Sequence, residues 1–350
     1  MATNDLRRRL LIAIGAAALP VAAHALDSAE EVEVCMESEV ETQCVKGLFL
    51  FECPDSSEIE EINRDDIGQT QTPAPGRGEL INGECCYEVT VTGTCALGCG
   101  CAHGRPLLRE AHPLLAGLSH ASWIDEALPQ PALADLTTAE RGRLARFWAS
   151  VGAHEHSSIA AFHRASLELL AHAAPEKLIA ATQRAALDEA RHARHAFTLA
   201  SRFAGATIGP AALPLGGAME LANDLPALAA RVVSEGCVEE TMSLLAAERM
   251  LAGAQDPAVR LVLTKLVRDE RRHVELAWKT VKWAIAAGGR PVSEAVAVAF
   301  AEARAPVPHD AEPLAPRLAA WGAVADEQLV AVAGHGLAVV IRPVASQLTA

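Results

Sequence analysis

Two short stretches decide the fold: Asp188-Glu189-Ala190-Arg191-His192 and Asp269-Glu270-Arg271-Arg272-His273, 81 residues apart. One Glu-x-x-His is expected by chance in a chain of 350 residues; two copies of Asp-Glu-x-Arg-His are not, and each has an aromatic five residues past its histidine, Phe197 and Trp278. Residues three apart share a helix face, so each Glu and its His can reach one ligand. Around the first copy, Leu178, Thr182, Ala185, Glu189, His192, Ala196, Leu199 and Phe203 form a single stripe at helical spacing. Glu189 and His192 therefore lie in an apolar seam, away from the solvated face.

Two further stripes each hold one acid. Leu144, Trp148, Val151, Glu155, Ile159, Phe162, Ser166 and Leu169 carry only Glu155, and Val233, Cys237, Glu240, Leu244, Ala247 and Leu251 carry only Glu240. Start and stop signals bound four helices. Thr137 with Glu140 is a capping box opening the first, which runs to about residue 172. Pro175 opens the second, ended by Gly205; the third covers about 226–252; Asp256-Pro257 opens the fourth, ended by Gly288-Gly289. The midpoint of Glu155 and Glu189 is residue 172, and that of Glu240 and Glu270 is residue 255, both at predicted turns. Antiparallel helices of equal rise then bring each single Glu level with its Glu-x-x-His partner. Glu235 and Glu239 lie close enough to Glu240 to leave the third-helix ligand open, with stripe and turn symmetry favouring Glu240.

The predicted metal ligands are thus Glu155, Glu189, His192, Glu240, Glu270 and His273. A Glu from each of two helices plus Glu-x-x-His from the other two is a recipe for a two-metal centre, two iron ions or manganese. Carboxylates bridge and neutralise hard cations, imidazole gives each a nitrogen ligand, and open positions can bind dioxygen or peroxide. Without a metal, six ionisable groups on apolar seams would cost several kcal/mol each. His154, His156, His163, His172 and His195 read as surface or supporting residues, and Cys237 as a small buried apolar side chain.

Outward from these helices, composition agrees with an all-α body: half the chain is apolar, only 4% is aromatic, and Ala and Leu dominate from about residue 130. Residues 291–350 read as a C-terminal helical extension. Residues 1–25 read as a signal peptide: Arg7-Arg8-Arg9, an apolar run from Leu10 to Ala23, and Ala23-His24-Ala25 as the cleavage site. Such a run is too short to span a bilayer comfortably, so no stable membrane anchor is expected. The arginines before Leu10-Leu11 are also compatible with a twin-arginine route to the periplasm or the exterior.

Residues 26–104 form an acidic, cysteine-rich segment. Between 27 and 66 there are fourteen acidic and two basic side chains, which argues against a nucleic-acid partner. Cys35, Cys44, Cys53, Cys85, Cys86, Cys95, Cys99 and Cys101 make an even set without a C-x-x-C pair, the pattern of a disulfide framework. Tyr87–Thr92 alternates as a strand does, and the segment is a candidate surface for a protein partner. Residues 105–136, rich in proline, read as a linker, and 137–290 as the di-metal unit.

Two tight hairpins joined by a long crossover, together with the doubled Asp-Glu-x-Arg-His, resemble the ferritin-like superfamily of four-helix bundles. The oxygen-activating branch is nearest: ribonucleotide reductase small subunits, bacterial multicomponent monooxygenases and acyl-carrier desaturases. The exported cysteine-rich front before Glu235-Gly236-Cys237-Val238-Glu239-Glu240-Thr241 is similar to uncharacterised bacterial ferritin-like proteins. The resemblance covers about 140–287. It implies that Asp188 and Asp269 each bond a metal-bound histidine and that Arg191 and Arg272 form outward ion pairs. It further implies an oxidoreductase using dioxygen or peroxide with a separate electron donor, or else an iron-handling protein of ferroxidase type, or a scaffold. Two features depart from it. The single tyrosine, Tyr87, lies outside the helices, which excludes a reductase-like tyrosyl radical there, and the absent C-x-x-C pairs exclude a rubredoxin-style internal electron path.

Overall fold

The computed structural model describes residues 2–14, 38–45, 69–73, 79–81, 84–93, 104–109, 112–216, 218–306 and 315–348. Two compact units are distinguished, residues 20–97 and the remainder.

In the smaller unit the described residues are strands, β1 (Ser38–Val45), β2 (Gln69–Pro73), β3 (Glu79–Ile81) and β4 (Glu84–Gly93). β4 is central, pairing antiparallel with β1 along nearly its whole length and with β2 and β3 in succession. The sequence indicates one strand or hairpin here; the other strands lack a strict apolar alternation and are held by pairing to β4. Cys35, Cys53, Cys95, Cys99 and Cys101 lie outside the described residues, and with them the disulfide framework, as does the cleavage site at 23–25.

The larger unit is mostly helical. Its elements are α1 (Ala2–Ile14), the short strands β5 (Leu108–Arg109), β6 (His112–Pro113) and β7 (Leu118–Ser119), α2 (Thr138–Ala171), α3 (Glu176–Ala204) and β8 (Gly209–Pro210). Then come α4 (Leu225–Arg231), a π-helical stretch Val232–Glu240, α5 (Thr241–Gly253), α6 (Pro257–Gly288) and α7 (Arg290–Glu302). A 3₁₀ turn at Pro316–Trp321 precedes α8 (Asp326–Gly336), a second π stretch Leu337–Ile341 and α9 (Arg342–Leu348).

Local chemistry sets these boundaries. Thr137 Oγ1 accepts from the Glu140 amide while the Glu140 carboxylate accepts from the Thr137 amide, the reciprocal cap that starts α2. Asp256 caps α6 by accepting from the Ala258 and Val259 amides ahead of Pro257. α2 and α3 fold back on each other across His172–Pro175, and α6 packs against α3, α5 and the first π stretch. The seams between them are filled by Leu144, Trp148, Leu199, Phe203, Leu244 and Trp278, all completely buried. Each such side chain contributes roughly 1.5–3 kcal/mol of burial free energy.

Residues 105–136 do not hang free. β7 pairs with β8 in the α3–α4 crossover, the Asp125 amide donates to Thr198 Oγ1, and the Ala132 amide donates to Asp256 Oδ2. Helix α1 rests on α6 and on the C-terminal helix, burying Leu6, Leu10 and Leu11. Among the described residues, the continuous helix Asp326–Leu348 is long and apolar enough to cross a membrane, although Leu329, Leu337, Val340, Ile341 and Val344 on it are buried within the protein.

Candidate metal centre

The six residues chosen from periodicity converge in the interior of the helical unit. Glu155, Glu189 and Glu270 are completely buried, and His192, Glu240 and His273 nearly so. They fall into two groups with one member in common: Glu155, Glu189, His192 and Glu270, and Glu240, Glu270 and His273. Within each group, one potential ligand atom per residue lies within 4.8 Å of the others. His192 Nδ1 is 3.4 Å from both Glu155 Oε2 and Glu270 Oε1, and His273 Nδ1 is 2.9 Å from Glu189 Oε1 and 3.5 Å from Glu270 Oε1. These buried Glu and His groups could hold a metal ion.

The fit to a cation rests on unsatisfied atoms. Of the sixteen buried side-chain polar atoms without a hydrogen-bond partner among the described residues, ten belong to this cluster. They are both carboxylate oxygens of Glu155, Glu189, Glu240 and Glu270, and Nδ1 of His192 and His273. The close Nδ1–carboxylate approaches therefore lack hydrogen-bond geometry. Native interiors rarely leave such atoms unpaired, and a cation, which offers no hydrogen bonds of its own, is a partner these atoms could accept.

The outer imidazole nitrogens are held in a crossed arrangement. His192 Nε2, on α3, faces Asp269 Oδ2, on α6, at 3.4 Å; His273 Nε2, on α6, faces Asp188 Oδ2, on α3, at 3.3 Å. Arg191 donates to both aspartates, and so does Arg272. With the outer nitrogen of each ring directed to a carboxylate, Nδ1 is the nitrogen turned inward.

Electrostatics follow from burial and crowding. Burial and the neighbouring Glu189 push the Glu155 carboxyl well above its usual range; burial and Glu270 do the same to Glu240. Burial alone would lower both histidines, but the surrounding carboxylates outweigh it and hold His192 and His273 well above 6.5. Burial also works to raise Asp188, yet hydrogen bonds from His273 and Arg191 dominate and hold it at about 2. Without a metal, protons must supply the positive charge that four buried carboxylates require.

Glu240 ends the π-helical stretch, which the helical periodicity of the sequence does not reveal. Thr241 Oγ1 caps the Cys237 carbonyl at 2.7 Å there. A π stretch adds a residue to the turn, re-aiming the side chains on it. Glu240 reaches the cluster. Glu235 does not: its carboxylate is clamped between the guanidinium groups of Arg105 and Arg164, all three nearly completely buried. Glu239 is half-buried outside both groups, and burial followed by Glu235 raises its carboxyl to about 7. None of the other histidines considered joins the cluster. His154 and His195 are buried, however: His154 Nδ1 faces the Ser150 carbonyl at 2.9 Å, and His195 Nε2 faces Asp125 at 3.2 Å.

Gly104 and Arg105 border the cluster without any signal in the sequence, whereas Ser158 and Ser243, three residues past Glu155 and Glu240, lie on helices that the stripes already mark. The chain neighbours of Gly104 and Arg105 show neither motif nor period, and only the folded chain brings these two to the ligands.

Comparisons with protein-family models, with curated proteins and with solved structures find no match.

Proposed function

We propose that this chain is a ferritin-like four-helix carboxylate protein binding two iron or manganese ions, and that it acts as an oxidoreductase on dioxygen or peroxide. The observation carrying this reading is the set of ten unpartnered ligand atoms in two groups that share Glu270. Two divalent ions would balance the charge of four carboxylates. Once bound, such a pair supplies the electrons for reducing dioxygen or peroxide.

The chain's own residues have separable tasks. Glu155, Glu189, Glu240 and Glu270 supply oxygen ligands, and His192 and His273 supply Nδ1. Asp188 and Asp269 orient the rings, while Arg191 and Arg272 hold those aspartates ionised. The apolar seams exclude bulk water. Electrons that restore the reduced pair would come from a separate donor, since the sequence has no C-x-x-C pair of the rubredoxin type. An iron-handling role of ferroxidase type uses the same ligands without an organic substrate, and the scarcity of space at the centre, described below, favours it as the second reading. Export after cleavage at Ala25, and a protein partner for residues 26–104, belong to the same proposal.

Elemental analysis of the full-length protein tests it. Close to two metal ions per chain is expected, lost in a Glu189→Ala/Glu270→Ala variant that remains folded. A folded wild type that resists both iron and manganese would overturn the reading.

A further inference from the structure

The backbone of residues 104–107 runs across the ligand cluster. Gly104 has φ +69°, a conformation open to glycine, and its amide donates to Ser243 Oγ at 2.7 Å. A Cβ there would stand 2.5 Å from Ser158 Oγ and 3.3 Å from both Glu155 Oε2 and Glu189 Oε2. No side chain fits between this backbone and the two carboxylates. Three residues on, the Leu107 amide donates to Ser157 Oγ at 2.9 Å, and its side chain is completely buried.

Between these two anchors, Arg105 is nearly completely buried. It forks onto Glu235 Oε2 through Nε and Nη2 at 3.2 and 3.1 Å. Its guanidinium lies 5.4 Å from the centre of the Phe162 ring, and Phe162 in turn sits edge-on to His273 at 5.2 Å. Arg105, Phe162, Glu240 and His273 share the wall of a cavity that has room for about one water molecule.

Resting on the two-metal reading above, we propose that Gly104–Leu107 is a plug, latched by Arg105 on Glu235, that restricts the centre to co-reactants of a few atoms. Dioxygen and hydrogen peroxide belong to that class; an organic substrate or a bulky hydroperoxide does not. The seal is built from both ends: backbone against Glu155 and Glu189, and the Arg105 side chain against the cavity beside Glu240 and His273. Removing the Arg105 side chain frees the latch and enlarges that cavity in one step, leaving every proposed ligand in place.

The test uses the full-length protein loaded with cobalt(II), whose visible spectrum reports ligands entering open coordination positions. Azide is the small probe and 4-nitrocatechol the bulky one. In the wild type azide is expected to shift the spectrum and nitrocatechol to leave it unchanged. In Arg105→Ala nitrocatechol binding should tighten at least about tenfold, with azide affinity changed far less. Arg105→Lys, which keeps a cation at the latch, should fall between. If Arg105→Ala does not fold, Ser243→Ala removes the Gly104 anchor instead and should move nitrocatechol binding in the same direction. Nitrocatechol entering the wild type as readily as azide would overturn the plug, and so would a folded, loaded variant that discriminates as the wild type does. Failure to take up cobalt, iron or manganese would instead count against the two-metal reading. The plug is then judged by hydrogen exchange in the metal-free protein: slow exchange of the Gly104 and Leu107 amides supports it, and exchange at the rate of open chain overturns it.

Discussion

Asp188 Oδ2 stands 3.3 Å from His273 Nε2, so a carboxylate on one helix orients the imidazole of another. The reciprocal pair, Asp269 with His192 at 3.4 Å, makes each Asp-Glu-x-Arg-His stretch the support for the other's histidine. Arg191 and Arg272 close the lattice by each bridging both aspartates. The repeat is therefore one interlocked unit, and removing either aspartate loosens the ligand on the opposite helix.

Asp188→Asn and Asp269→Asn should each lower metal affinity by about 10–100-fold, the usual effect of losing a carboxylate behind a ligating histidine. Competition titration against a chelator of known affinity measures this. Unchanged affinity in both variants would mean that the crossed pairs do not support metal binding.

Metal binding should release protons and weaken in acid. Glu155 and Glu240 hold protons above the ordinary carboxylate range, and His192 and His273 hold theirs above 6.5, so an incoming cation must displace them. The sign for the metal-free protein is opposite. These raised groups stabilise the fold below their unfolded values, and that contribution is lost as pH rises through the folded values. Melting the metal-free and metal-loaded proteins at roughly pH 6 and pH 9 checks both signs. The metal-free protein should lose stability on going alkaline, and the loaded protein should not.

The Glu140–Arg317 pair ties the start of α2 to the 3₁₀ turn at Pro316–Trp321, with Arg317 Nε 2.6 Å from Glu140 Oε1. Hydrogen bonds from Arg317 and from Thr137 lower the Glu140 carboxyl to about 2. A depressed carboxyl contributes stability above its unfolded value of 4.5, and the contribution disappears as pH falls through about 2. Glu140→Gln should therefore lower Tm at neutral pH, with the gap to wild type closing in acid. A gap independent of pH would assign the loss to the cap alone.

The fate of α1 is readable from the mature N-terminus. Export with cleavage after Ala25 yields a chain beginning at Leu26, and Leu10→Ala then leaves the stability of the mature protein unchanged. If Met1 or Ala2 persists instead, Leu10, completely buried in the core, becomes a structural residue. The same substitution then costs about 2–5 kcal/mol, as buried leucines do. N-terminal sequencing and a denaturant titration of the variant distinguish the two.

Helix limits were legible because they rest on local chemistry. A capping box at Thr137, prolines at 175 and 257, and a period near 3.6 residues each act within a turn or two of chain. The inward face of α3 and α6 was legible for the same reason: Glu and His three residues apart must share a side. Which aspartate supports which histidine was not. Nothing near Asp188 in the chain indicates that its partner is His273, 85 residues away. The π stretch is likewise invisible to a period count, since it is set by how residues 232–240 meet α6; a Cβ on Gly236 would come within 2.7 Å of Ala277 Cβ.

By itself, the sequence determined which side chains are too polar for their apolar seams, and so five of the six residues a metal would have to reconcile, with Glu240 favoured over Glu235 and Glu239 for the sixth. Only the tertiary structure decided what surrounds them: that Glu235 belongs to Arg105 and Arg164, and that Gly104 lies against Glu155 and Glu189. The physical reason is distance along the chain. Periodicity and caps report the few residues within a helical turn, whereas Arg105 meets Glu235 across 130 residues, through packing that no local pattern encodes.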